Sequence, residues 1–137
     1  SSADLARFIH ACAAANVPLK ATAGMHHPLR RRSEAADREG GVDEHGFLNV
    51  FIAACLALTD ELKPAQIEAL LEERSLDAFT IDDDTIRWKK HRLRAENIED
   101  VREEFARSFG SCSFDEPREH LRALGLLENV SAANARD

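Results

Sequence analysis

The five residues VPLKA, Val17–Ala21, run without a break into TAGMHHPLRRR, Thr22–Arg32. If the five form a strand, the chain is an α/β protein. The dense cluster of Lys20, Thr22, Gly24, His26, His27 and Arg30 then leaves that strand's carboxyl end. Val17, Leu19 and Ala21 alternate with Pro18 and Lys20, and a proline is tolerated at a strand's start.

The segments around it supply the helices. Upstream, Leu5, Phe8, Ile9 and Cys12 recur at the spacing of one helix face over residues 3–15, and Asn16 suits its exit. Downstream, residues 30–44 are polar, carry both charge signs and hold Gly40-Gly41, the composition of an exposed mobile loop. Phe47–Leu58 is apolar nearly all round, as a buried helix is. Pro64 opens a further helix carrying Ile67, Leu70 and Leu71. Phe79/Ile81 and Ile86/Trp88 alternate about Asp82–Asp84 and predict a hairpin. Asn97 predicts a helix start, with Ile98, Val101, Phe105 and Phe109 as its buried stripe. FGSCSF, 109–114, reads as a second strand, followed by a helix from Asp115 to about Gly125 and a frayed tail at 129–137.

Helices between strands make parallel pairing of Val17–Ala21 with Phe109–Phe114 the default. The expected fold is a helix-rich α/β single domain over 1–137, either a partial (β/α)-barrel-like unit or a small mixed sheet with helices packed on it. Phe47, Phe51, Leu56, Val101 and Phe105 are its expected core.

The chain has 137 residues, 44% hydrophobic and 31% charged, with a net charge of −7. That is ordinary globular composition, and the acidic balance argues against nucleic acid or an anionic membrane as partner. Three widely spaced cysteines, Cys12, Cys55 and Cys112, point to reduced thiols and a cytoplasmic protein. The amino-terminal residues lack the basic region of a signal peptide, and the longest apolar run is too short to span a bilayer.

Ligands in α/β proteins collect where strands end. Lys20 and Thr22 share one face of an extended segment, and Gly24 allows close backbone approach. Lysine and arginine together favour a small anionic ligand, a phosphate or carboxylate. The plainer alternative is a solvated loop whose arginines pair with Glu34, Asp37 and Glu39. The turn Gly110, Ser111, Cys112, Ser113 leads into a helix amino terminus, which also suits an anion, or is a tight connection capped by Asp115. His26 or His27 would carry protons, and Lys20 would supply charge or, if desolvated, a Schiff base. Cys112 or Ser111 paired with His26 or His27 would give a nucleophile. A metal on His26, His27 and His45 is a third possibility, with His10, His91 and His120 left as surface or core residues. The cofactor is open.

The segments KATAGMHHP (20–28), HGFLNVFIAA (45–54) and FGSCSFDEP (109–117) resemble the carboxyl-terminal part of a bacterial barrel-type α/β family of unassigned function. Its K-x-T-A-G-[LM]-H-H-P and F-G-S-C-S-F-x-E-P patterns are matched by Lys20, Thr22, Gly24, His26, His27 and Pro28 and by Gly110, Ser111, Cys112, Ser113, Glu116 and Pro117. A full barrel takes ~200 residues or more. The resemblance therefore implies part of a longer protein, with an open apolar face that self-associates or meets a missing amino-terminal portion. An enzyme domain for a small anion, a non-catalytic assembly module and a metal site all remain open.

Overall fold

A strand does form at the expected place. The computed structural model describes residues 1–22, 24–33 and 41–128. Strand β1 (Leu19–Ala21) pairs in parallel with a strand at Ala106–Phe109, in the register Lys20 to Ser108 and Ala21 to Phe109. The pairing runs on past both strand ends. The Gly110 N–H donates to Ala21 O at 2.7 Å and the Met25 N–H donates to Gly110 O at 3.0 Å. These two bonds lay Thr22 and Gly24–His27 beside Gly110–Ser113. The second strand therefore begins and ends upstream of the 109–114 expected, and Gly110–Ser113 forms its exit.

Helix α1 (Ser2–Ala15) starts on a capping box between Ser1 and Asp4 and stops at Asn16, which takes a left-handed conformation with φ 51. Its Ala6 and Ile9 are fully buried. Helix α2 (Phe47–Thr59) is the central element, burying Phe47, Val50 and the run Ile52–Ala57. It packs against α1, against α3 (Pro64–Leu71) and against α4 (Ala95–Glu104). Its first amides are not free: the Phe47 N–H donates to His27 O at 3.0 Å and the Leu48 N–H to Pro28 O at 2.9 Å. The helix amino terminus thus clamps the HHP segment in place, since an α-helix leaves its first N–H groups without intrahelical partners. Gly46 is obligatory there, because a Cβ would lie 2.3 Å from Pro28 O and 2.4 Å from Asn49 Oδ1.

Several expectations are corrected. The two ends of the 30–44 stretch pair as antiparallel strands, β2 (Arg31–Ser33) with β3 (Val42–Glu44). Residues 34–40, the middle of the proposed mobile loop or lid, lie outside the described residues, as does the tail at 129–137. The hairpin β4 (Phe79–Ile81) and β5 (Thr85–Trp88) gains a third strand, β6 (His91–Arg94), and stands apart from the β1 sheet. Helix α4 begins at Ala95 rather than Asn97 and ends at Glu104. Phe105 closes it, and Phe109 belongs to β7 (Ala106–Phe109) instead of the helix stripe. Phe47, Leu56, Val101 and Phe105 are core, whereas Phe51 is half-buried beneath Arg102, whose guanidinium lies 4.4 Å from the ring centre. The fold is a mixed α/β arrangement of small sheets and helices, with no closed barrel among the described residues. None of its described helices is long and apolar enough to cross a membrane.

Candidate functional site

The parallel pair delivers His26 and Cys112 to one place. His26 Nδ1 lies 2.9 Å from Glu116 Oε2 and 3.3 Å from Ser111 Oγ. The Glu116 approach lacks the alignment of a hydrogen bond, so it is a charge contact and does not fix the ring's tautomer. Cys112 Sγ stands 3.5 Å from Nε2 of the same ring. The thiol also lies 3.8 Å from Nδ1, so it straddles the two ring nitrogens, a looser arrangement than a thiol–imidazole hydrogen bond in line with the lone pair. Cys112 is exposed. Glu116 belongs to α5 (Asp115–Ala123), and its N–H donates to Ser113 Oγ at 3.2 Å. Ser113, not Asp115, makes that capping contact.

Gly24 is placed by the same geometry. A Cβ on it would stand 2.8 Å from His26 Nε2, so the absent side chain is what lets the ring swing towards Cys112.

His27 points elsewhere. Its Nε2 is 3.8 Å from Glu44 Oε2, its Nδ1 is 3.5 Å from Arg31 Nη1, and its ring centre is 4.1 Å from that of His120. Burial, then the Arg31 and His120 charges, hold the His27 imidazole below its ordinary range. His120 and Glu116 sit one helical turn apart on α5, so both face His27. Ligand atoms of His27, Glu116 and His120 lie within 4.8 Å of one another. Sequence reasoning set His120 aside as surface or core. The signal that could have found it is the i, i+4 spacing of Glu116 and His120 on one helix face.

The remaining site residues are distributed differently from expectation. Arg30 is buried at 8% exposure, with Nη2 3.2 Å from Asp43, Nη1 3.0 Å from His45 Nδ1, and Nε 3.2 Å from Glu72 without the alignment of a hydrogen bond. Two carboxylates already neutralise it, so its charge is structural. His45 therefore faces Arg30, not His26 or His27, and burial and Arg30 together depress it. The metal set His26, His27 and His45 is not assembled. Lys20 is exposed on β1, which removes the desolvation a Schiff base needs. With Thr22 and Gly24 it borders a shallow hollow that also holds Asp43 and Glu44. That hollow shares no lining residue with the cavity beside Ser111 and Ser113. Lys20 and Ser111 thus line separate hollows.

The cavity beside Ser111 measures about 600 Å3. Phe47, Phe51, Phe109 and Phe114 line it, and Arg102 and Arg118 are its basic groups among the described residues. Arg118 lies 5.4 Å from the Phe114 ring centre. Gly110 serves the close approach of the two strand exits, for a Cβ would meet Thr22 O at 3.1 Å.

The chain matches no family model, no curated protein and no solved structure. Fold and site together define a small mixed α/β protein with a thiol–imidazole–carboxylate cluster at the exit of a parallel strand pair.

Proposed function

We propose that the chain is an enzyme domain in which Cys112 is the nucleophile, His26 its base and Glu116 the group that orients His26, acting on a small anionic acyl substrate. The observation that carries this reading is the order of groups along the cluster: Sγ 3.5 Å from Nε2, and Nδ1 2.9 Å from Glu116. Nucleophile, base and orienting carboxylate in that sequence are what thiol acyl transfer requires. In the reaction the thiol proton passes to His26 Nε2 as Sγ bonds the acyl carbon. The leaving group takes that proton as its own bond to the carbon breaks, and water then hydrolyses the thioester. The Glu116 carboxylate stabilises the imidazolium between those steps. Arg118 and Arg102, beside the apolar cavity, suit an acid with a hydrocarbon or aromatic body. Cys112, His26 and Glu116 all fall within the segments that carry the family resemblance, and the unpaired thiols support a reducing compartment such as the cytoplasm.

Alkylation tests this directly. Iodoacetate, itself a small carboxylate electrophile, should modify Cys112 at least ~10-fold faster than half-buried Cys12, and His26→Ala should remove that advantage, because a positioned base contributes ~10²-fold or more. The ratio of iodoacetate to iodoacetamide rates should exceed that of free cysteine. Equal rates at Cys112 and Cys12, unchanged by His26→Ala, would refute the reading.

A second reading has one observation in its favour. Phe114 is 80% exposed at the rim of the apolar cavity. Such a surface supports a non-catalytic assembly face, closed by a second copy or by a further portion of a longer chain. Sedimentation as a monomer at micromolar concentration, unaffected by Phe114→Ser, would remove self-association.

A further inference from the structure

We infer that His27, Glu116 and His120 form a binding site for a divalent first-row cation, with an open coordination position for water. The inference stands on different contacts from the thiol reading, though both use Glu116. Three donor atoms, two imidazole nitrogens and one carboxylate oxygen, lie within 4.8 Å of one another. Any three points so spaced have a common centre no farther than ~2.8 Å from each. Bonds of ~2.1 Å therefore need shifts of at most ~0.7 Å per ligand, within reach of side-chain rotation.

The second observation concerns orientation. His120 Nδ1 lies 3.1 Å from the His26 carbonyl oxygen. A carbonyl only accepts, so Nδ1 carries the proton and Nε2 is left with the lone pair. A ring nitrogen donating to a backbone carbonyl while the other faces outward is the outer-shell arrangement of metal-bound histidine. That bond also ties the helix carrying Glu116 and His120 to the segment carrying His27. The His27 ring is 12% exposed, so the site is partly screened from bulk water.

Charge and donor chemistry agree with the assignment. Two imidazoles and a carboxylate suit zinc-class cations and are too nitrogen-rich for calcium or magnesium. Glu44, 3.8 Å from His27 Nε2, adds a second negative charge nearby. Arg31 opposes the cation, but its contact with His27 is long at 3.5 Å and exposed. Glu116 has two oxygens, so one can hold the metal while the other stays beside His26.

The test is titration of the metal-stripped full chain with Zn2+ by calorimetry, and with Co2+ by visible absorption. One equivalent should bind. His120→Gln and Glu116→Gln should each weaken binding by at least ~10-fold, the scale of losing a ligand or its support, with circular dichroism unchanged. His45→Gln and Cys112→Ser should leave the affinity as it was, and the Co2+ spectrum should lack a thiolate charge-transfer band. The inference is overturned if no Zn2+ binds, if His120→Gln binds as tightly as the native chain, or if Cys112→Ser abolishes binding. Cys112 alkylation in metal-free protein is measured separately, so the thiol reading can survive failure here, and this site can survive failure there.

Discussion

Asn49 is the polar residue on which the placing of the histidine segment depends, and replacing it gives a sharp test. It is fully buried inside the apolar helix α2. Its Oδ1 accepts from the Arg30 N–H at 2.9 Å, and its Nδ2 donates to Leu70 O at 2.9 Å and to Glu73 O at 2.8 Å. One side chain therefore joins the end of the HHPLR segment to the carboxyl end of α3. In Asn49→Ala the buried Arg30 N–H loses its partner, at about 1.5 kcal/mol. The Leu70 carbonyl keeps the Glu73 N–H at 3.2 Å and loses one of two bonds, at about 0.5 kcal/mol. The Glu73 carbonyl is only partly buried, and water can reach it at about 0.5 kcal/mol. The sum is about 2.5 kcal/mol, a large share of the ~5–15 kcal/mol a domain of this size possesses.

Urea unfolding followed through Trp88, the single tryptophan and 2% exposed, reads this out. With a slope of ~1.5–2 kcal/mol per molar, the midpoint should fall by ~1.5 M. Asn49→Asp should be at least as damaging, because it turns a carboxylate on two carbonyl oxygens. Asn49→Leu should fall between the alanine variant and the native chain, since its apolar surface recovers part of the loss. A midpoint shift below ~0.5 M for Asn49→Ala, or an aspartate tolerated better than alanine, would show that the three bonds do not hold the segment.

Gly24→Ala should slow Cys112 alkylation by ~10-fold or more, with the urea midpoint unchanged, because the added Cβ displaces only the far end of the His26 ring. A rate equal to native would mean the ring position does not matter. His45 is depressed from its ordinary value of 6.5 by burial and Arg30. The folded chain thus resists a proton that the unfolded chain accepts, so stability is full above about pH 6.5 and declines as pH falls through it. His45→Gln should remove part of the drop in urea midpoint between about pH 7.5 and about pH 5.5, and an undiminished drop would contradict the sign. Burial pushes the Cys55 thiol up to about 11 and leaves it 2% exposed. A disulfide reagent at neutral pH should therefore modify Cys55 only at the rate of unfolding, and modification in step with Cys112 would contradict its burial.

The parallel strand pair was legible because Leu19–Ala21 lies between a helix exit and a glycine-bearing turn, and because small residues follow Phe109. Its register was not. Phe105 and Phe109 follow Val101 at helical spacing, so periodicity extends the helix, while pairing with β1 takes the backbone out at Phe105 with φ −122. Leu93 is 1% exposed, yet it is the only aliphatic residue in HRLR, so alternation could not announce β6. Strands β2 and β3 bury neither face fully, and an exposed charged hairpin leaves no hydrophobic pattern to read. Of the site, His26, Cys112 and the strand exits could be read from the sequence. Glu116 and His120 required the helix to be placed.

The cations of Lys20–Arg32 invite the idea of a waiting anion, but proximity in sequence measured density and not free charge. Arg30 is held by Asp43 and Glu72, and Arg74 reaches the other oxygen of Asp43 at 2.9 Å. Arg32 stands opposite Asp43 across the β2–β3 register, and Arg31 lies beside His27. Asp43 is held below the ordinary carboxylate range, first by Arg74, with Arg30 and Arg32 adding to it. An exposed ion pair is worth little, but a guanidinium as buried as Arg30 needs its carboxylates, because removing them leaves an uncompensated charge in a poorly solvated place. The arginines fasten the hairpin and α3 around the segment that α2 grips through His27 O and Pro28 O. What the segment sets against Cys112 and Glu116 is the His26 imidazole rather than a free guanidinium. On the thiol reading proposed above, proton transfer at His26 comes first, and the basic groups beside the substrate cavity are Arg102 and Arg118, far from the basic run in sequence.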